Sequence, residues 1–229
     1  KAIVALEDGF VLEGESFGAE GEKSGEVVFN TSMSGYQEIL TDPSYRGQIV
    51  AMTYPLIGNY GTNSADLESP KPHVSGFLVK ENSRIVSNWR SEGALKTWLK
   101  KSGIVAVTGV DTRSLTRHVR SLGAMKAVVS TKTLDPAKLV EKAKASPGLV
   151  GRDLVKEVTC AKTYEWDGKG ADTLDMFSQE KRFMVVCMDY GAKANIMRSL
   201  AKRGCEVTVM PAFSTAQDVL KRKPDGIMI

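Results

Sequence analysis

Residues 183–229, FMVVCMDYGAKANIMRSLAKRGCEVTVMPAFSTAQDVLKRKPDGIMI, decide the fold class. FMVVCMD is a near-continuous apolar strand, ANIMRSLAKRG an amphipathic helix, and CEVTVMP a second apolar strand. TAQDVLKRK then supplies another helix and DGIMI a third strand. Apolar runs of strand length that alternate with helices predict buried parallel strands joined by crossover helices. Three strands and two helices make half of such a domain, and an open sheet of that size leaves an apolar edge and faces uncovered. The turn at 189–196, DYGAKANI, carries a single glycine and lacks the GxGxxG spacing of a dinucleotide site. Gly191 is therefore expected to let the chain turn closely after the strand, with Lys193 and Asn195 opening the helix. A nicotinamide-dependent oxidoreductase is excluded on that ground.

Moving toward the amino terminus, the pattern weakens. SPGLVGRDL and KEVTCAKTYEWDGKGADTLDMFSQEK hold turn residues and charge without sustained periodicity, as a connecting segment would. Before it lies a mixed, strand-rich α/β region. Asp8 and Gly9 sit between AIVAL and FVLEG, the signature of a tight hairpin. Ser91 is expected to cap a helix running to Lys101, with Leu95, Trp98 and Leu99 on one face and Gly103 past its end. The strand IVAVTGV follows. Asp111 caps a second helix on which Leu115, Val119 and Leu122 recur at helical spacing, and Gly123 stops it. MKAVVS is a further strand, and Asp135-Pro136 opens a third helix with proline in its permitted first turn.

Composition narrows the function classes. The chain has 229 residues, 42% hydrophobic and 25% charged, enough for a core and a wet surface. No apolar run approaches the length of a membrane span, and KAIVALEDGF lacks the apolar segment of a secretion signal, so a cytoplasmic protein is expected. A net charge of +4 without a long basic block gives no support for nucleic-acid binding. Cys160, Cys187 and Cys205 are widely spaced, in no CxxC or Cys/His grouping, and neither His73 nor His118 is placed to activate one. Free, non-catalytic thiols and no bound metal are the expectation.

The stretch 25–61, GEVVFNTSMSGYQEILTDPSYRGQIVAMTYPLIGNYG, sets two short strands, at 27–29 and 49–53, around many small polar and turn residues. Loops held at both ends by strands are where ligands and partners are commonly met, and this one is expected to form a binding surface over a sheet. An ordinary polar connection accounts for the same composition.

The wording of that stretch, with TYP and IGNYGTN behind it, resembles the small, glutamine-hydrolysing subunits of carbamoyl phosphate synthetases. LEDG at 6–9, DTRSLTRHVR at 111–120 and DYGAKANI at 189–196 resemble the same family in the same order, so the likeness covers almost the whole chain. It implies an α/β protein with a β/β/α swivelling-type amino-terminal domain at 1–148 and a connecting segment at 149–182. Residues 183–229 would then be the first half of a parallel-sheet class I glutamine amidotransferase domain. It further implies that the complete protein releases ammonia from glutamine through a cysteinyl thioester and passes it to a large subunit. That partner would make carbamoyl phosphate for arginine and pyrimidine synthesis, holding the ATP and divalent metal itself and leaving no cofactor or metal in this chain. The Cys, His and Glu of the thioester chemistry would lie beyond Ile229, so this piece is expected to be inactive alone.

Two sets of residues carry the expected contacts. Ser44, in TDPSY, matches the serine that reaches toward the glutamine in this family; a turn serine serving its own loop is the alternative. Arg113, Arg117 and Arg120 fall on or near one helix face and offer either a solvated surface or a docking surface for the large subunit of a heterodimer. A non-catalytic docking or regulatory module is the competing function.

Overall fold

The computed structural model describes residues 1–167 and 183–229, which form two compact units, Lys1–Arg152 and Asp153–Ile229. In the first unit the strands are β1 (Ala2–Leu6), β2 (Val11–Ser16), β3 (Glu22–Asn30), β4 (Gln48–Met52), β5 (Leu56–Ile57), β6 (Gly76–Leu78), β7 (Glu81–Asn82), β8 (Val105–Thr108) and β9 (Met125–Ser130). Its helices are α1 (Tyr36–Thr41), α2 (Leu95–Lys101), α3 (Thr112–Leu122) and α4 (Pro136–Ala145). Seven strands close into a barrel in the order β1-β2-β8-β6-β4-β3-β9, with β9 returning to β1. The β3-β4, β4-β6 and β6-β8 pairings are parallel and the others in the barrel antiparallel.

Side-chain alternation builds this barrel. Ala2, Val4 and Leu6 join Val27, Ile49, Ala51, Leu78, Val105, Val107, Ala127 and Val129 in one interior cluster. Leu115 and Val119 of α3 belong to the same cluster, so that helix seals the interior. Ile3 and Ala5, on the opposite face of β1, pack on Val128 and on Leu139 and Ala143 of α4. Both faces of β1 are thus covered, which is why AIVAL is apolar throughout instead of alternating. Around β4, β6 and β8 the outer residues Val50, Met52, Phe77, Val79 and Ala106 lie against Ile39 and Leu40 of α1 and Leu95 and Leu99 of α2. Gly25 allows a close crossing: a Cβ there would stand 2.6 Å from the carbonyl oxygen of Gly47.

Helix ends follow the expected capping chemistry in α3 and α4. The Asp111 carboxylate accepts from the Ser114 N–H, the Asp135 carboxylate accepts from the Lys138 N–H, and Pro136 fills the first turn. The Asp8-Gly9 hairpin joins β1 to β2, with Gly9 at φ 96°. The expectation for Ser91 is overturned. The N-cap of α2 is Ala94, because residues 92–93 are bridged to Thr62, whose N–H donates to Gly93 and whose carbonyl accepts from Glu92. Extended pairing holds that segment out of the helix until Leu95. Leu122 also departs from its expected role, standing 64% exposed at the end of α3.

The second unit holds α5 (Val155–Val158), β10 (Tyr164–Glu165), β11 (Phe183–Asp189), α6 (Ala194–Ala201), β12 (Cys205–Pro211), α7 (Ala216–Lys221) and β13 (Gly226–Met228). Its sheet runs β10-β12-β11-β13, with β11 parallel to both β12 and β13. Part of the segment at 149–182 therefore belongs to this sheet, since β10 pairs antiparallel with β12; residues 168–182 of that segment lie outside the described residues. Alternate side chains cover both faces. Cys187, Val207 and Val209 meet Met197 of α6, whereas Val186, Met188 and Met210 meet Val219 of α7. No helix among the described residues is long and apolar enough to cross a membrane.

Candidate functional site

Between β3 and β4 the polar stretch is less of a surface than its composition suggests. Gly35, at φ 82°, turns the chain into α1, and Tyr36, Gln37, Ile39, Leu40 and Thr41 are buried. Their polar atoms are bonded internally, which is how a polar segment can sit in a core. The Tyr36 hydroxyl donates to the Gly61 carbonyl at 2.6 Å, and its ring stacks on Tyr60 with centroids 4.2 Å apart. The Tyr60 oxygen accepts from the backbone N–H of Tyr36 at 3.1 Å and of Gly35 at 2.5 Å. Gln37 holds both backbone groups of Asn63, donating to its carbonyl at 2.7 Å and accepting from its N–H at 2.9 Å. Asn63 in turn binds Asp66, whose other oxygen meets Arg90 at 2.6 Å. Gly61 is confined to glycine here: its φ is 74°, and a Cβ would lie 2.1 Å from Ser91 Oγ.

Burial raises the pKa of both phenols, Tyr36 and Tyr60, and each stays protonated as the network requires. Glu38 is the exception within this frame. Its Oε2 is buried without a hydrogen-bond partner, and burial, helped by Asp66 and Glu68, holds its carboxyl above the ordinary value.

Ser44 occupies the middle of a single 3-10 turn, Pro43–Tyr45, directly after α1. Asp42 is buried and accepts from the Ser44 N–H at 2.9 Å, which fixes the serine backbone. Pro43 is also buried, so the turn is anchored from below, while Ser44 itself is exposed. Tyr45 closes the turn by accepting from Asn30 Nδ2 at 2.9 Å. The result is an exposed hydroxyl on a stiff base, suited to donate to a carboxylate or accept from an ammonium group.

Arg113, Arg117 and Arg120 all project from the exposed side of α3, opposite the buried Thr112, Leu115 and Val119. Two grooves flank them. One, of about 710 Å³, is lined by the three arginines with Lys80, Thr53, Pro55 and Asp111; the other, of about 600 Å³, includes Phe10, His118 and Leu122. His118 stacks on Phe10 with centroids 4.3 Å apart and places Nε2 2.6 Å from Asp8 Oδ2. Although partial burial pushes the Asp8 carboxyl up, the Phe10 N–H and the His118 ring outweigh it and hold the group below its usual value. Ser44 and the arginine helix are separate features, on different connections between barrel strands. Lys80 and the Asp8–His118 pair were not singled out by sequence reasoning, because the barrel, not chain proximity, brings them to α3.

In the second unit Cys160 and Cys187 are suppressed instead of activated. Burial and the nearby Asp189 carboxylate push Cys160 and Cys187 each up to about 11. Asp189 is committed structurally: it accepts from the N–H groups of Cys160, Gly191 and Ala192 at 2.7, 3.0 and 2.8 Å. That pins the DYGAKANI turn and explains its acidic residue without a ligand. No cluster of three or more His, Cys, Asp or Glu residues suited to a metal occurs among the described residues.

Comparison with known proteins bears on these features together. Residues 4–129 match the family model described as carbamoyl-phosphate synthase small chain, CPSase domain. Curated relatives named carbamoyl phosphate synthase small chain are 56% identical in Syntrophotalea carbinolica, 53% in Rhodopirellula baltica and 51% in Salmonella typhimurium, each aligned with 100% of this chain. The chain spans 62%, 61% and 61% of the length of those three relatives. The barrel, its Ser44 turn and its arginine helix thus fall within the matched region, and the chain belongs to the carbamoyl-phosphate synthase small chain family.

Proposed function

We propose that this chain acts within a glutamine-hydrolysing small subunit that supplies ammonia to a large subunit for carbamoyl phosphate synthesis, serving the arginine and pyrimidine pathways. The family match over residues 4–129 carries the reading. In it, the barrel is a β/β/α swivelling-type domain, and residues 183–229 open a class I glutamine amidotransferase domain. The thioester chemistry resides in the part of the longer relatives that this chain does not span, and ATP and a divalent metal act on the large subunit in the cytoplasm. The role of this chain is then to position. Ser44 would meet the amino-acid end of glutamine, a role supported by its exposed hydroxyl on an anchored turn.

A glutaminase assay of the full-length subunit, alone and with its large subunit, tests the proposal. Glutamine-dependent carbamoyl phosphate formation that requires both chains is expected. Partner binding with no glutamine hydrolysis would favour a docking or regulatory module instead. Ser44→Ala is expected to raise the KM for glutamine more than it lowers kcat, by about 1 kcal/mol for one lost hydrogen bond. An unchanged KM would remove Ser44 from the glutamine site.

A further inference from the structure

The stripe Arg113, Arg117 and Arg120 breaks a local rule. Residues three and four apart on a helix are neighbours, so like charges there destabilise the helix by about 0.2–0.5 kcal/mol per pair. Such a stripe is usually relieved by interleaved or facing carboxylates. Here none of the three arginines, nor Lys80 across the groove, has a carboxylate within ion-pair distance among the described residues. The groove they share holds four cations against a single carboxylate, Asp111, and that carboxylate is occupied capping α3. On the other flank Asp8 is likewise occupied by His118. Beside these charges stand an exposed Leu122 and the Phe10–His118 stack. Uncompensated charge next to an apolar foothold, kept on a rigid helix, is the arrangement of a docking surface that awaits its counter-charge.

We infer that the exposed face of α3, with Lys80 on one side and Phe10 and Leu122 on the other, docks a carboxylate-bearing segment of the large subunit. This rests on the proposed function and adds the face used and the chemistry of what it meets. The arginine forks offer bidentate geometry to carboxylates, and Leu122 supplies the apolar contact at the end of the row. Phosphate-rich ligands would satisfy the arginines but leave Leu122 without a role, so the protein segment is favoured.

The test uses the full-length small subunit and its large subunit, with affinity measured by titration calorimetry at low and high salt. Three variants are compared: Arg113→Glu/Arg117→Glu/Arg120→Glu, the milder triple change to Gln, and a control with the same charge change on α2, Lys96→Glu/Lys100→Glu/Lys101→Glu. The α3 reversal is expected to weaken association about a hundredfold and the Gln variant about tenfold, with a flatter salt dependence in both. The control is expected to stay within about twofold. Leu122→Asp should weaken binding at both salt concentrations. Equal weakening in the α2 control would reduce the effect to net charge and overturn the inference. So would unchanged affinity in both α3 variants while wild-type subunits still associate. Absence of any wild-type association would instead strike the proposed function. Circular dichroism of each variant separates lost binding from lost fold.

Discussion

The barrel of the first unit and the sheet of the second treat unpaired strand edges in opposite ways. In the barrel the seven main strands each have a partner on both sides, and the ends of the series meet where β9 joins β1. Among the described residues of the second unit the sheet is open, and β13 lies at one end of it with Ile227 half exposed at 50% and Met228 at 38%. Closure removes edges altogether, whereas an open sheet leaves a row of backbone groups and apolar side chains for further structure. The first unit is therefore closed on itself, and its candidate contacts stand on a turn and one helix face.

The largest effect should come from breaking the barrel. Phe77→Ala is expected to cost about 3–5 kcal/mol in denaturant unfolding of the first unit, because the side chain is wholly buried between strand and helices. Met228→Ala, at the open edge, should change stability by no more than about 0.5 kcal/mol. Comparable losses at the two positions would dissolve the contrast.

Tyr36→Phe probes the polar lock at the start of α1. Losing the bond to the buried Gly61 carbonyl should cost about 1–3 kcal/mol, read as a lower unfolding midpoint. Native-state labelling of Cys187 by a disulfide reagent addresses the open sheet directly. The thiol is buried and pushed up to about 11, so at neutral pH it should react only when the sheet opens locally. Labelling faster than global unfolding confirms a loosely held sheet; labelling at the global rate contradicts it.

Two of the perturbed carboxyls of the first unit, Asp8 and Glu38, make the smallest effects, with opposite signs. Asp8 is depressed in the folded state, so its pairing stabilises above the unfolded value near 3.8 and the benefit disappears as pH falls through the lower folded value. Asp8→Asn should be less stable than wild type at neutral pH and equal to it in strong acid. Glu38 is raised, so the folded state favours its proton; that contribution is full below about 4.5 and is lost as pH rises through the folded value. Glu38→Gln should gain a little stability at neutral pH, less than about 1 kcal/mol, and none in acid. Melting curves at several pH values decide both.

Local signals in the sequence were legible wherever chemistry acts over a few residues. The Asp111 and Asp135 caps, the Asp8-Gly9 hairpin and the apolar strands FMVVCMD and CEVTVMP all formed where period and capping placed them. Barrel closure was not legible, because β8, made late in the chain, inserts between β2 and β6 through pairings that no local pattern encodes. The same limit hid α1. Gln37 and Thr41 look like loop residues until Asn63 and Glu68, far along the chain, are seen to satisfy them. Ser91 misled for a similar reason: the bridge from Gly93 to Thr62 holds the chain extended up to α2, and the Ser91 hydroxyl donates to the Gly93 carbonyl instead of capping the helix. Of the candidate contacts, the arginine stripe followed from helical spacing alone, while Lys80 entered only with the fold.

The position of β1 between β2 and β9 has a consequence for biosynthesis. Ala2–Leu6 is synthesised before nearly everything it touches, and one of its two neighbours, β9, lies at Met125–Ser130. A ribosome making this protein must hold five apolar residues without their final cover until α4 has also emerged. The barrel cannot close piecemeal from its amino terminus, so folding of this domain is a late, all-or-none event on the nascent chain, and chaperones have their widest opportunity at its first strand.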